Sequence, residues 1–314
     1  MNEKISVIIP AFNEKENLQE LHKELKDVLK KITAKLEIIF IDDGSTDGTV
    51  EILENTAAVD PNVKIIALAR NYGQTAAIAA GLGRSTGDLI ITMDADCQND
   101  PNDIPLLLSE AARGFDVVSG WRKKRKDSFL FRRLPSVIAN FIISLVTGVR
   151  LHDYGCTLKL YKKEFLKNFA IYGDMHRFLP AYCAWQGARI TEVTVNHRPR
   201  IRGKSKYGIK RTFNVIMDLL VLKFLLSYLT KPIYVFGMIS LISFLTGTAV
   251  NAFVIVRKIY YGGVWLSPLF FVGFSLWSLS IICILLGIVI EVLVRLYFES
   301  KGVSGVKESR LINL

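Results

Sequence analysis

The chain has 314 residues, half of them hydrophobic, and a net charge of +11. That length is enough for one domain of catalytic size and an appendage. Its four cysteines, Cys97, Cys156, Cys183 and Cys283, show neither CxxC nor any other metal-binding spacing. This excludes a cysteine-based zinc module and favours reduced thiols in a cytosolic setting.

Short apolar runs alternate with helical patterns along the first part of the chain. The strands that these runs predict are Ile5–Ile9, Leu36–Ile41, Val63–Ala69, Leu89–Met93 and Val117–Val118. The helices predicted between them are Glu14–Leu29, Thr49–Asn55, Gln74–Leu82 and Ile104–Ala112. Such βαβα alternation predicts an α/β domain with a mostly parallel sheet and helices on both faces.

The segment after the first predicted strand carries two signals. Asn13, followed three residues later by Glu16, predicts a capping box at the start of the first helix. No Gly-x-Gly-x-x-Gly loop stands there, since the sequence reads Pro10-Ala11-Phe12-Asn13-Glu14. A dinucleotide-binding dehydrogenase is therefore disfavoured.

Two uncharged segments near the C-terminus, Ile233–Val256 and Val264–Ile290, predict transmembrane helices, because about 20 apolar residues span a bilayer. Basic residues precede the first segment and follow the second, whereas the hairpin between them carries only Arg257 and Lys258. By the positive-inside rule, both termini and the catalytic domain face the cytoplasm. The prediction is a two-span protein of the inner or plasma membrane.

These patterns divide the chain into a cytosolic domain, 1–208, a juxtamembrane interfacial helix, 209–230, a transmembrane hairpin, 231–299, and a cytosolic tail, 300–314. Within the first domain, the uncharged run Ser136–Val149 is too short to span a membrane. It predicts either an interfacial helix within 131–150 or a helix packed in the domain. Val215–Leu229 has the same two interpretations.

The fourth predicted strand ends in two closely spaced carboxylates, Asp94 and Asp96. The carboxyl ends of parallel strands are where open α/β sheets bind ligands. Carboxylate oxygens suit Mg²⁺ or Mn²⁺, which usually hold the phosphates of a substrate. If the backbone is extended, the side chain of Gln98 lies on the same side as both carboxylates.

Six motifs follow one another along the first domain. They are Val7–Glu14, Ile41–Thr49, Arg70–Gln74, Met93–Pro101, Asp153–Cys156 and Arg202–Tyr207. In this order and spacing they resemble the family-2 glycosyltransferases, which have the GT-A fold. The likeness is greatest to the polyprenyl-phosphate glycosyltransferases, which include bacterial undecaprenyl-phosphate glucosyltransferases and dolichyl-phosphate mannose synthase.

The resemblance implies two groups of site residues, and the basic tracts of the chain suggest a third. The nucleotide sugar would be bound by Pro10, Ala11, Asn13, Glu14, Asp42, Asp43, Asn71, Gly73 and Asp94. The metal, Mg²⁺ or Mn²⁺, would be bound by Asp94, Asp96 and Gln98. Two basic tracts suit the lipid phosphate, which would be bound by Arg122, Arg132 and Arg202, because arginine can grip a phosphate with two donors, and Ser136 and Lys204 would add further donors. Asp94, Asp96 and Asp153 would be the catalytic residues.

Arg122 and Arg132 belong to one basic tract, and Arg198, Arg200, Arg202, Lys204 and Lys206 alternate in another. If the second tract is extended, it presents all five cations on one face. For the lysines, a solvated face attracted to anionic lipid is the better interpretation. Both tracts adjoin apolar segments and no nucleic-acid motif is present, so a nucleic-acid partner is not expected.

The resemblance predicts an inverting, metal-dependent transfer of glucose from UDP-glucose to undecaprenyl phosphate. A phosphate oxygen attacks the anomeric carbon and the nucleoside diphosphate leaves, so no strong general base is needed. Asp153 would instead orient the sugar or a phosphate-binding arginine. GDP-mannose or a modified UDP-sugar remains the alternative donor, and a non-catalytic basic membrane protein is a more distant one. A homo-oligomer is compatible with the sequence.

Overall fold

The computed structural model describes residues 3–32, 35–123, 134–166, 175–199, 232–262 and 267–301. These residues fall into two compact units, one up to residue 199 and the other from residue 232. The predicted juxtamembrane helix, 209–230, lies outside the described residues, as does the tail after Lys301.

The described part of the first unit contains a seven-stranded sheet. Its strands are β1 (Ile5–Ala11), β2 (Leu36–Asp42), β3 (Val63–Ala67), β4 (Leu89–Thr92), β5 (Val117–Trp121), β6 (Lys159–Lys162) and β7 (Ile190–Thr194). Their order is β3-β2-β1-β4-β6-β5-β7. The five predicted strands are confirmed. The sequence did not predict β6, which is antiparallel to both neighbours, or β7, which is parallel to β5.

Helices cover both faces of this sheet. They are α1 (Lys15–Leu29), α2 (Thr49–Val59), α3 (Gln74–Arg84), α4 (Ile104–Ala112), α5 (Leu134–Thr147) and α6 (Leu179–Trp185). Val7 and Ile9 point into a core shared with α1, α2 and α4, whereas Ile8 points into a second core with α3 and α6. Because both faces are buried, the central strands read as continuous apolar runs, which is why the sequence predicted them.

The predicted capping box at the start of α1 is wrong. Glu14 is the N-cap residue, and its side chain makes no cap hydrogen bond. Asn13 has a left-handed backbone, with φ of 53°. Its side-chain oxygen accepts a hydrogen bond from the Thr46 amide at 2.8 Å, and its own amide donates to Ser45 Oγ at 2.8 Å. Asparagine tolerates this conformation, and a contact with the β2–α2 loop replaces the local cap.

The uncharged run within 131–150 is helical, as predicted, and forms α5. Ile143 is buried in the unit, whereas Phe141 and Leu145 are 67% and 72% exposed. The helix therefore packs in the unit with one side and presents apolar side chains on another. A helix with such an exposed apolar side can lie in a membrane interface. The interfacial location of α5 stays a prediction.

The second unit is a helical hairpin of α7 (Ile233–Tyr261) and α8 (Pro268–Lys301). Both helices are long and apolar enough to cross a membrane. They pack closely where Gly247 meets Leu276 and Trp277, since a Cβ at Gly247 would lie 3.0 Å from each side chain. Ser240 and Ser280 share a hydrogen bond of 2.9 Å across the same interface. Small and hydroxyl-bearing residues are typical of helix contacts within membranes.

The hydrogen bonds of Glu37 on β2 predict that replacing this residue lowers the stability of the protein. Its buried carboxylate accepts hydrogen bonds from Ser6 Oγ and Lys64 Nζ, each at 2.5 Å, and from the Thr86 amide at 2.6 Å. We expect Glu37→Ala to lower the free energy of unfolding by about 2 kcal/mol, because buried donors lose their acceptor. Thermal melting in detergent measures this, with the exposed Glu51→Ala as the control.

The carboxylate of Glu37 also predicts how the stability of the protein depends on pH. Burial alone would raise its pKa, but the hydrogen bonds from Lys64, Ser6 and Thr86 lower the pKa of Glu37 to about 2. A lowered folded-state pKa means that the stabilisation is complete above the unfolded value and is lost as the pH falls through about 2. An unchanged melting temperature for Glu37→Ala at neutral pH would contradict this assignment.

Candidate active site

The strand order changes direction between β1 and β4, because β2 and β3 lie on one side of β1 and β4 lies on the other. The crevice beyond such a switch point is where open α/β sheets bind ligands. Ala11 pairs with Asp42, and Ile8 pairs with Thr92, two residues before Asp94. The predicted nucleotide and metal residues therefore meet at one edge of the sheet.

The two aspartates after β2 have different environments. Asp42 Oδ2 accepts hydrogen bonds from the amides of Gly44 and Ser45 at 3.1 and 3.0 Å. Its Oδ1 is buried and has no hydrogen-bond partner among the described residues. A buried acceptor without a donor is costly, and an N–H or hydroxyl group of a ligand can satisfy it. Asp42 is thus better placed than Asp43 to contact a nucleotide.

Asp43 holds the loop that precedes α3. Its two oxygens accept hydrogen bonds from the amides of Tyr72 and Gly73 at 2.8 and 2.9 Å. Gly44 allows this close approach, because it has a φ of +72° and a Cβ there would lie 2.6 Å from the Asn71 nitrogen. Asp43 therefore fixes the loop that carries the predicted residues Asn71 and Gly73.

Other predicted nucleotide residues join the loops after β1 and β2. The amide of Glu14 donates to Thr49 Oγ1 at 3.1 Å, and its side chain accepts from Asn17 Nδ2 at 2.6 Å. Pro10 and Ala11 end β1, and Ala11 is buried. The structure thus brings Pro10, Ala11, Asn13, Glu14, Asp42, Asp43 and Gly73 into one region, while Asn71 is exposed.

The two carboxylates after β4 lie on a bend rather than on an extended backbone. The chain turns over residues 95–97, and Cys97 has a φ of 57°. The backbone is therefore not extended here, and the condition under which Asp94, Asp96 and Gln98 would share one side is not met. Asp94 Oδ1 accepts a hydrogen bond from Gln74 Nε2 at 2.7 Å, and Asp96 Oδ1 accepts from the Gln98 amide at 3.1 Å. The side chain of Gln98 reaches the Arg198 carbonyl at 3.5 Å.

The described residues contain no cluster of three or more His, Cys, Asp or Glu side chains that could hold a metal ion. Two carboxylates nevertheless fit Mg²⁺, which is commonly bound through one or two carboxylates together with water and substrate phosphates. Asp94 and Asp96 are the residues of this site that fit the predicted metal, and Gln98 would need a different side-chain position.

Arg122 and Asp153 form a buried ion pair at the same edge of the sheet. Nε of Arg122 donates to Asp153 Oδ2 at 2.7 Å, and Nη2 donates to Oδ1 at 3.0 Å. Their side chains are 15% and 4% exposed. Burial alone would lower the pKa of Arg122, but the hydrogen bonds and charge of Asp153 raise it, with a smaller contribution from Asp94. The geometry matches the prediction that Asp153 orients an arginine.

The loop that carries Asp153 is anchored on both sides. The hydroxyl of the buried Tyr154 donates to the Val149 carbonyl at 2.7 Å. The amide of His152 donates to Glu192 on β7 at 2.8 Å, and its ring stacks on Trp121 with centroids 4.3 Å apart. Arg122 is therefore held by a carboxylate whose loop is fixed to Val149, just after α5, and to β7, which pre-organises the guanidinium.

Several predicted acceptor residues lie outside the described residues, namely Arg132, Arg202, Lys204 and the side chain of Ser136. Arg198, the first residue of the alternating basic tract, is engaged elsewhere. Its guanidinium binds both oxygens of Glu24, at 2.8 and 2.7 Å, and Asp100 at 2.9 Å. The predicted single cationic face is therefore wrong at Arg198, which ties the tract to α1 and the β4–α4 loop.

The sequence analysis missed two residues of this region. Gln74 lies in the quoted motif Arg70–Gln74, but only the structure shows that it binds Asp94. Lys159 begins β6 and is 2% exposed. A lone lysine between Leu158 and Leu160 was the available signal, since lysine is rarely buried without a partner.

Comparisons with known proteins agree with this arrangement. Residues 6–169 match the family model described as Glycosyl transferase family 2. The chain is 39% identical to dodecaprenyl-phosphate galacturonate synthase of Rhizobium johnstonii, over 94% of this chain and 89% of the relative. It is 36% identical to undecaprenyl-phosphate 4-deoxy-4-formamido-L-arabinose transferase of Pseudomonas fluorescens, over 86% of this chain and 78% of that one.

Among solved structures, the chain resembles glucosyl-3-phosphoglycerate synthase of Mycobacterium tuberculosis in complex with Mn²⁺ and UDP-glucose. The TM-score is 0.55 at 17% identity, and the match covers 70% of this chain and 79% of that one. At this identity the likeness concerns the fold alone. The sheet and its helices are those of the GT-A fold that the sequence predicted.

Proposed function

The chain belongs to glycosyl transferase family 2 and is a glycosyltransferase, and we propose that it transfers a sugar from a nucleotide sugar to the phosphate of a membrane polyprenol. The observation that carries this proposal is the Arg122–Asp153 ion pair, because Arg122 also interacts with Asp94, the first carboxylate after β4. Arg122, which can bind the acceptor phosphate, therefore lies near Asp94, which can bind the metal ion of the donor. The names of both relatives specify a polyprenyl phosphate.

The names of these relatives do not support the predicted glucose. They specify galacturonate and 4-deoxy-4-formamido-L-arabinose. We therefore propose that the transferred sugar is of one of these two types, with galacturonate as the first to test. Uridine diphosphate, predicted from the sequence, is kept as the carrier of the sugar.

In the proposed reaction, an oxygen of the lipid phosphate attacks the anomeric carbon. The bond from that carbon to the diphosphate breaks, the nucleoside diphosphate leaves, and the configuration inverts. Arg122 binds and orients the acceptor phosphate, and Asp153 holds Arg122 in place. Because a phosphate monoester is already anionic near neutral pH, no side chain has to remove a proton from it.

Asp94 and Asp96 would hold a divalent cation against the donor diphosphate. When bound, it neutralises the charge that develops on the departing nucleoside diphosphate. Gln74 donates a hydrogen bond to Asp94 and orients that carboxylate. Asp42, with its unpaired buried oxygen, offers an acceptor to the base or ribose of the nucleotide.

A membrane location fits this acceptor. The helices α7 and α8 are each long enough to span a bilayer, and basic residues flank the hairpin on its outer ends. We propose a two-span inner-membrane protein whose first unit and termini face the cytoplasm.

The test uses the purified full chain in detergent with undecaprenyl phosphate and Mg²⁺. The donors are UDP-galacturonate, UDP-4-deoxy-4-formamido-L-arabinose, UDP-glucose and GDP-mannose, each with and without EDTA. We expect lipid-phosphate-dependent transfer from one of the first two donors and its loss with EDTA. Transfer from UDP-glucose alone would overturn the proposed sugar, and activity that survives EDTA would overturn the metal requirement.

A further inference from the structure

Lys159 stands at the edge of the sheet where the site lies. The strand β6 runs antiparallel between β4 and β5, and Lys159 pairs with Thr92 and Ser119. The first residue of β6 therefore lies beside the last residues of its neighbours, close to where Asp94 and Arg122 follow. No prediction had placed a cation at this position.

The buried ammonium of Lys159 lacks a carboxylate partner in the described part of the chain. Its Nζ donates to the Tyr154 carbonyl at 2.9 Å, the neutral oxygen of the residue after Asp153. The neighbouring Ser119 hydroxyl is also buried and has no hydrogen-bond partner among the described residues. Burying a charge that is not directly paired costs free energy of folding. Stability alone therefore does not explain why a lysine occupies position 159.

The charges around Lys159 come from three other elements. Arg122 follows β5, Arg177 lies in the helical turn Met175–Phe178, and Asp153 and the Cys156 thiol lie in the loop before β6. Burial raises the pKa of Cys156 to about 11, so this thiol is neutral at physiological pH. With Lys159 protonated, it therefore interacts with two cations, Arg122 and Arg177, and with one carboxylate, Asp153.

We propose that Lys159 is a positioning residue that makes the Arg122–Asp153 pair an effective receptor for the acceptor phosphate, an inference that rests on the proposed function. The pair alone has no net charge, and two nitrogens of Arg122 are committed to Asp153. A phosphate that approaches Arg122 also meets the negative charge of Asp153. Lys159 interacts with Asp153 and offsets that charge, and a buried charge acts more strongly than one in water.

The protonation of Lys159 gives this role a pH signature. Burial lowers the pKa of Lys159 to about 8, with Cys156 and Asp153 opposing the shift and Arg177 and Arg122 adding to it. The lysine is charged below this value and neutral above it, while both arginines stay charged. Acceptor binding should therefore weaken as the pH rises through about 8.

The experiment compares wild type, Lys159→Met and Lys159→Arg in the full chain, with undecaprenyl phosphate and the donor that the wild type uses. We expect Lys159→Met to raise the acceptor KM roughly tenfold and leave the donor KM within about twofold, while Lys159→Arg restores the acceptor KM. Lys162→Met is the matched control, because Lys162 lies on the same strand but binds Asp116 at 2.7 Å.

A pH profile of kcat/KM for the acceptor supplies the second readout. The wild-type value should fall as the pH rises through about 8, and the profiles of Lys159→Met and Lys159→Arg should lack this step. Wild-type kinetics and pH dependence in Lys159→Met would overturn the inference. A lowered melting temperature with equal rises in both KM values would overturn it too, because it would indicate a structural role. No transfer by the wild type would overturn the proposed function itself.

Discussion

We expect Asp96→Asn to lower kcat for sugar transfer by about a thousandfold, while the protein stays folded and membrane-bound. Asp96 is 8% exposed on the bend after β4, where its Oδ1 accepts a hydrogen bond from the Gln98 amide. Asparagine keeps an oxygen for that bond but removes the negative charge that would bind the divalent cation. The measurement is single-turnover transfer at saturating Mg²⁺ and donor.

The matched control lies at the other end of the same strand. Asp88 precedes β4, and its Oδ2 accepts a hydrogen bond from the Lys4 amide at 3.1 Å, away from the site. Asp88→Asn should leave transfer unchanged. Asp94→Asn should behave like Asp96→Asn, because both carboxylates are assigned to one cation. Full activity of Asp96→Asn, with a normal melting temperature, would refute the metal role.

We expect Arg122→Lys to raise the KM for the lipid phosphate by about ten- to a hundredfold and to leave the KM for the nucleotide sugar nearly unchanged. Lysine keeps the positive charge, but it cannot donate to both oxygens of Asp153 as the guanidinium does. The acceptor phosphate then loses an oriented donor. Steady-state kinetics with each substrate varied in turn would measure the two KM values.

Lys123→Ala is the control for Arg122, because Lys123 is the next residue but lies over the exposed side of Trp121, 5.3 Å from the ring centroid. It should change neither KM by more than about twofold. Arg122→Ala should raise the acceptor KM further, and it should also lower the melting temperature, because the buried Asp153 carboxylate loses the guanidinium that balances its charge. A rise in the donor KM alone would show that Arg122 serves the nucleotide sugar.

These predictions differ in how far the sequence could have led to them. Asp94 and Asp96 were identified directly, because an apolar strand that ends in two carboxylates is a local pattern. Asp153 was named from a family motif and Arg122 from a basic tract, but the sequence did not show which arginine Asp153 contacts, since 31 positions separate the two residues. Lys159 was missed because its burial depends on β6, whose four residues are too few to show a period.

The sequence by itself determined the alternating strands and helices, the carboxylates at the end of β4, the helix α5 and the two apolar helices near the C-terminus. All of these depend on neighbouring residues along the chain, where apolar spacing directly reflects which side of an element is buried. Only the tertiary structure decided which side chains meet. The insertion of β6 between β4 and β5 places Lys159 where it interacts with Arg122 and Asp153, and a bend over residues 95–97 replaces the extended backbone that the interpretation of Gln98 assumed. Such contacts depend on strand order and long-range packing, which local periodicity does not encode.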